Sequence, residues 1–292
     1  MTVVALSLVA ALVYGAADFF GGLATRRHSA LVVVVWSQVA GVAVLLAALV
    51  VVPGVPHASD FGWGAACGAA AALAVALLYR GLAVGVMGVV SPITAVLAAT
   101  IPVVFAVIRG ERPAPLALAG IVLALVAVVL VSAATPEPTA AEQDAPLARP
   151  LRPRRFPPGI PEALGAGVAF GVFFIALAQT RPDGGLYPLL TTRATSLAIM
   201  VAGALLLRRS LRAARPGRGM IVACGVLDMG ANVFFVLAVH TGALAIVAVI
   251  TALYPAATVA LAAILLRERL ARVQWAGVTL AFAGVLCISL AR

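Results

Sequence analysis

The chain has no lysine, and charged residues of every kind make up only 10% of it. Soluble globular domains carry charge on about a quarter of their residues, so a hydrophobic fraction of 64% and a mean hydropathy of +1.15 exclude a water-soluble fold. The chain is built for a bilayer. With lysine absent, arginine supplies all 20 basic side chains; together with abundant Ala, Gly and Pro this is the composition of a GC-rich bacterial genome, and a bacterial inner (plasma) membrane is the expected location. Cysteine is scarce as well. Cys67, Cys224 and Cys287 lie inside apolar runs, without the paired spacing of a metal site or the density of a disulfide framework. No His-Glu-x-x-His, Gly-x-Ser-x-Gly, nucleotide P-loop or dinucleotide glycine pattern occurs, so the sequence offers no grounds for a metal, a cofactor or catalysis. The net charge of +10 does not call for nucleic acid, because the arginines sit in short turns between apolar segments, where the positive-inside rule expects them.

What fills the chain instead is apolar sequence in lengths that span a membrane. A spanning helix needs ~20 predominantly apolar residues to cross ~30 Å of hydrocarbon. Ten such segments occur, at approximately 3–24, 30–52, 62–83, 88–108, 114–134, 161–180, 186–207, 219–240, 244–266 and 272–291. The first lacks a basic stretch ahead of it and a convincing cleavage site behind it, so it is expected to be a retained helix rather than a signal peptide. Five segments lie in residues 1–134 and five in 161–292. Between them, 135–160 is a Pro/Arg-rich linker unsuited to helix or packed core.

The two halves are copies. A shift of 157 residues lays Glu111-Arg112 on Glu268-Arg269, Cys67-Gly68 on Cys224-Gly225, Gly85 on Gly242, Thr94-Ala95 on Thr251-Ala252, Gly120 on Gly277 and Ser132 on Ser289. Chance coincidence in apolar sequence would match Ala and Val, not these landmarks in one register. An odd number of crossings per copy forces opposite orientations, which predicts an all-α integral membrane protein of ten transmembrane helices arranged as a 5+5 inverted repeat. Fifteen arginines fall in the loops after segments 1, 3, 5, 7 and 9, and four on the other side. By the positive-inside rule the linker is expected to be cytoplasmic and both termini outside. Small residues four apart, as in Gly64-x-x-x-Gly68, Gly81-x-x-x-Gly85 and Gly167-x-x-x-Gly171, predict close helix packing.

A few polar residues interrupt the apolar segments, and ionisable groups within a membrane are functional candidates by default. Asp18 stands in segment 1 four residues after Tyr14, on the same helical face. Its bland alternative is solvation near Arg26. Asp228 and Asn232 form a polar patch in segment 8, and Arg193 in segment 7 is the natural partner for Asp228, either as a structural ion pair or as a ligand for an anionic substrate group. Gln38 beside Trp36 in segment 2, Gln179 in segment 6 and Tyr254 in segment 9 are secondary candidates. Trp36 and Tyr187 also suit an interfacial belt, Arg80 after Tyr79 suits snorkelling, and His240 an interfacial position. Pro92 and Pro102 in segment 4 and Pro255 in its repeat mate are expected to interrupt backbone hydrogen bonding. His57 and Asp60 are placed in a short outer loop.

Two sets of motifs resemble the EamA-type transporters of the drug/metabolite transporter superfamily. In the first half they are Val89-Val90-Ser91-Pro92-Ile93, Gly110-Glu111-Arg112-Pro113 and Gly120-Ile121. In the second they are Ala248 to Tyr254-Pro255, Arg267-Glu268-Arg269-Leu270, Gln274, Gly277 and Ala283-Gly284-Val285. Arg267 departs from the pattern, standing where the first half has Gly110. The resemblance implies ten helices, an inverted repeat and ATP-independent export or exchange of small metabolites such as amino acids or related compounds. Glu111 and Glu268 are expected to cap or pair with neighbouring Arg at turns. The expected partners are a small-molecule substrate, the lipid bilayer and protons or another coupling ion. Rival readings are a membrane enzyme acting on lipid or isoprenoid phosphates, with Arg193 gripping phosphate, and a non-transporting scaffold.

Overall fold

In lipid each backbone N–H and C=O must find its partner within the protein, so uninterrupted apolar sequence becomes helix. The computed structural model describes residues 1–84, 87–133, 158–213, 216–266 and 271–291, and among these there is no β-strand. Residues 135–157 of the expected linker, and the Arg267–Leu270 motif, lie outside the described residues. The helices are α1 (Thr2–Thr25), α2 (Ala30–Val51), α3 (Ala58–Val84), α4 (Met87–Ile108), α5 (Pro115–Ala133), α6 (Ile160–Ala178), α7 (Tyr187–Leu206), α8 (Arg218–Val239), α9 (Leu244–Thr251), α10 (Tyr254–Leu265) and α11 (Arg272–Leu290). Helices α9 and α10 share one crossing, so the chain makes ten. Nine of the crossings are each long and apolar enough to span a bilayer within the described residues, and α4 is the tenth.

The broken crossing follows from Pro255. Proline has no N–H to donate to the carbonyl one turn earlier, and its ring crowds that carbonyl. The helix accordingly stops at Thr251 and restarts at Tyr254, with Pro255 in the first turn of α10. In its mate the prolines likewise lack the N–H of a helical bond, yet the helix does not split. Helix α4 runs from Met87 to Ile108 through both Pro92 and Pro102. A correction concerns Asp60. Helix α3 begins at Ala58, ahead of the expected start, so Asp60 belongs to its first turn and is fully buried rather than in an outer loop.

Contacts between the halves come in twins, as a two-fold axis in the membrane plane requires. Helix α1 packs on α8 as α6 packs on α3; α2 packs on α8 as α7 packs on α3; α1 packs on α9 and α10 as α6 packs on α4. Three further inter-half pairs, α5 with α11, α2 with α7 and α4 with α9, join repeat mates to each other, and α5 also touches α9 and α10. The fold is a ten-helix 5+5 inverted repeat.

Glycines set the closest of these approaches. A Cβ added to Gly120 would sit 2.6 Å from the Gly284 carbonyl oxygen, and one added to Gly284 would sit 2.9 Å from the Gly120 carbonyl oxygen. Each glycine receives the backbone of the other helix. Gly120→Leu is expected to force α5 and α11 apart and cost ~1–3 kcal/mol, in the range of overpacked cores. Thermal unfolding in detergent measures it, with Gly22→Leu as the control, because a Cβ there meets nothing within 4 Å.

The interior is not packed evenly along the membrane normal. Seven of the eight α9 residues are buried, whereas α10, continuing toward the end where the Arg-rich loops lie, has no buried residue. Along this crossing the packing is tight at the end carrying Glu111 and loose at the end carrying Leu265.

Candidate functional site

Asp18, Tyr14, Arg193, Asp228, Asn232 and Tyr254 come together where α1, α7, α8 and α10 meet. Asp18 is exposed, although it lies well inside α1. The direction of that exposure follows from the helix. Val9 and Leu12 are exposed on the lipid side, at 37% and 60%, and Asp18 lies roughly 120° to 180° around the helix from them at 3.6 residues per turn. Its carboxylate therefore faces space inside the bundle. Gly22, one turn further along the same face, is exposed with no atom near an added Cβ, so that space continues toward the loose end. Asp18 accepts no hydrogen bond among the described residues.

Asp228 is arranged likewise. Val222 and Val226 carry the lipid face of α8, at 51% and 40% exposed, and Asp228 lies roughly 120° to 160° away from them. Arg193 donates from Nη2 to Asp228 Oδ2, forming an ion pair in which the arginine side chain is 13% exposed and the aspartate 35%. The structural pairing expected for Arg193 is thus present, while the open side of the pair still faces the interior. Asn232 is buried and turned back on its own helix, its Nδ2 donating to the Asp228 carbonyl oxygen at 2.8 Å.

Tyr14 sits in the electrostatic field of Asp228, Arg193 and Asp18. Its ring lies 6.4 Å from that of Tyr254, tilted by 59°. Asp18 and Asp228 act on each other. The Arg193 guanidinium engages Asp228, and Asp18 has no cationic side chain paired with it among the described residues. Sequence reasoning set Tyr79 and Cys224 aside, yet both lie within the field of Asp18. Tyr79 precedes Arg80 near the end of α3, and nothing in the sequence signals that it comes within reach of Asp18. Arg80 itself pairs with Glu162 at 3.4 Å.

No hydrogen bond or ion pair joins the other candidates to this cluster among the described residues. Gln38 is 7% exposed and its Oε1 is buried without a hydrogen-bond partner among the described residues. The Trp36 indole N–H donates to the Leu211 carbonyl oxygen at 2.7 Å with the ring 45% exposed, which is an interfacial placement. Gln179 lines a cavity of about 160 Å3 at the tight end with Arg109 and Glu111.

That end is closed by contacts between the halves. Glu111 does not pair with arginine among the described residues; its carboxylate accepts from the backbone N–H groups of Leu244 at 3.0 Å and Ala245 at 3.2 Å, capping α9 in the opposite half. The first turn of a helix has no internal acceptors for its N–H groups, and a carboxylate there also meets the positive end of the helix dipole. Asp60 Oδ1 accepts from Arg181 N at 2.9 Å. Asp183 bonds both Arg181 and His57, and the Arg181 guanidinium holds its carboxyl below the usual carboxylate range.

His240 follows the end of α8 and meets Thr180 Oγ1 at 3.0 Å. The Thr180 hydroxyl donates to Leu177 O, which makes it an acceptor for His240 and assigns the imidazole proton to Nε2. Burial pushes the His240 pKa below its ordinary 6.5. An imidazole depressed in the folded state takes up a proton on unfolding between that lowered value and 6.5, so stability is lost as pH falls through this window. Thermal stability is expected to drop from pH 7 toward 5, and His240→Gln to flatten that slope.

Comparison with known proteins agrees with this architecture. One solved crystal structure, described only as "Crystal structure of protein", superposes with a TM-score of 0.76 at 16% identity, over 99% of this chain and 96% of that one. At that identity the likeness shows the fold alone. No curated protein matches the chain. The model of the EamA-like transporter family matches twice, at residues 1–133 and 157–290, once for each half. With both halves matched and ten helices in an inverted repeat, the chain belongs to the EamA-like transporter family and is a membrane transporter of the drug/metabolite transporter superfamily.

Proposed function

We propose that the protein is a secondary carrier that exports or exchanges amino acids or closely related metabolites by alternating access, without ATP. The observation that carries this reading is Asp18: a carboxylate with no hydrogen-bond partner among the described residues, exposed to the interior of the bundle beside the Arg193–Asp228 pair. A substrate ammonium group fits Asp18, with the Tyr14 and Tyr254 rings supplying cation–π faces. A substrate carboxylate fits the N–H groups of Arg193 not used by Asp228. Such a zwitterion meets opposite charges at both ends; it brings no net charge, so a proton on either carboxylate is what neutralises the excess negative charge of two carboxylates beside one guanidinium. Inverted repeats place the substrate site at the interface of the halves, which is where Asp18 of the first half and Arg193 and Asp228 of the second meet.

With the linker cytoplasmic, as the arginine distribution predicts, the loose end faces the cytoplasm of a bacterial inner membrane and the Glu111 end is the closed outer side. The expected division into repeats 1–134 and 161–292 then supplies two bodies that rock about the site. The phosphate-gripping enzyme reading would need a nucleophile or a metal cluster beside Arg193, and the sequence offers neither motif.

The test is exchange in proteoliposomes preloaded with a pooled metabolite extract and read by mass spectrometry. Saturable counterflow of compounds bearing both an ammonium and a carboxylate group is expected. Flux confined to neutral sugars or to dianions would overturn the assignment of substrate class; no saturable flux of any compound would overturn the carrier reading.

A further inference from the structure

A cavity of about 330 Å3 lies outside the central site, between α2 and α8. Val39, Ala40, Ile221 and Val222 line it, with Trp36 and Arg218. It belongs to the lipid-facing surface: Val39 is 41% exposed and Val222 51%, on the faces of α2 and α8 turned away from the bundle. At this size it falls at the lower end of the ~300–1,000 Å3 range of small-molecule pockets, too small for a whole phospholipid and large enough for part of one chain. In a bilayer an apolar recess of this kind faces acyl chains.

Its upper end is chemically different. Arg218 is the first residue of α8 and is exposed, its Nε and Nη2 both donating to the Ala213 carbonyl oxygen at 3.2 and 2.7 Å. That contact orients the guanidinium over the recess rather than leaving it free to swing into water. The Trp36 indole bonds Leu211 O in the same α7–α8 connection, and His28 Nε2 bonds Pro216 O at 3.0 Å, bringing the α1–α2 turn with Arg27 against it. Arg212 is exposed in this connection as well. None of Arg27, Arg212 and Arg218 is in an ion pair among the described residues. The first-turn N–H groups of α8 add to the positive potential there.

We propose that this recess binds one anionic phospholipid, with an acyl chain against Val39, Ala40, Ile221 and Val222 and the phosphate at Arg218. Charge complementarity selects the headgroup. A basic pocket between transmembrane helices at the membrane surface favours anionic lipid, whereas a zwitterionic headgroup brings its own cation against three arginines. The site lies on the outer faces of α2 and α8, so it is independent of the substrate assigned to Asp18.

The experiment is native mass spectrometry of the full chain released from bilayers containing equal phosphatidylglycerol and phosphatidylcholine. Retention of a single phosphatidylglycerol in severalfold preference is expected. Arg218→Gln should remove the preference, and Ala40→Phe, which fills the recess and leaves every arginine in place, should reduce retention of both lipids; size-exclusion profiles confirm that each variant is folded. Equal retention of the two lipids by the natural protein overturns the proposal, as does an unchanged pattern in both variants. Displacement of the lipid by soluble glycerol phosphate at modest concentration also overturns it, because it would mark a phosphate site with no contribution from the chain.

Discussion

Asp18→Asn is expected to lower the apparent affinity for substrate at least tenfold while leaving the protein folded. The carboxylate faces the interior with no hydrogen-bond partner among the described residues, so its replacement strips no group of its partner and opens no cavity. On the proposed reading, what is lost is a charge-assisted hydrogen bond to the substrate, worth ~1.5–3 kcal/mol, or roughly 10- to 150-fold in affinity. Proteoliposome exchange gives the affinity, and thermal unfolding gives the stability of the same preparation.

Asp228→Asn supplies the contrast. It removes the charge partner of Arg193, whose side chain is only 13% exposed. Breaking a buried pair costs ~3–5 kcal/mol, and less is expected here because Asp228 is 35% exposed. Asp228→Asn should therefore lower both stability and transport, whereas Asp18→Asn lowers transport alone. Unchanged exchange by the Asp18 variant would remove that residue from the site.

Glu111→Ala is expected to open the tight end. The side chain belongs to the α4–α5 turn of the first half, yet it bonds two backbone N–H groups of α9 in the second. Loss of a helix cap costs ~0.5–2 kcal/mol, with charged acceptors toward the upper end, and it is borne only while the two halves are closed together at this point. The population open at the Glu111 end should rise by about 5- to 30-fold. Glu111→Gln keeps an acceptor without the charge and should fall between.

Gln179 lines the cavity beside Glu111, so a cysteine placed there reports the opening through its rate of reaction with a membrane-impermeant maleimide. The three native cysteines are first replaced by alanine. Equal labelling rates with and without Glu111→Ala would mean that the packing of α9 alone keeps this end shut.

Much of this architecture was legible before any coordinates. Spanning helices are local objects: each satisfies its own backbone, so apolar length alone predicts them, and nine of the ten expected segments correspond to one helix each. The duplication was legible because Gly and Cys landmarks recur at a fixed shift, and the structure shows what two of them do. Gly68 receives the Thr192 backbone where α3 meets α7, and Gly225 receives the Ser37 backbone where α8 meets α2. The break before Pro255 follows from the chemistry of proline. At Pro102 the helix continues, although that proline lacks the same N–H, so the residue alone does not decide whether a crossing splits into two helices.

By itself, then, the sequence determined the solvent, the number of crossings, the inversion of the halves and the identity of the polar side chains available for a site. These are properties of composition and period. Which of those side chains meet was decided by the tertiary structure. Arg193 and Asp228 pair across α7 and α8, and Tyr79 and Cys224 join the field of Asp18, because helix rotation and crossing are set by interlocking glycine contacts between segments far apart in the chain. The tertiary structure also decided the role of Glu111. A turn glutamate reads as a local cap, and only the folding of one half against the other placed it on a helix more than a hundred residues away.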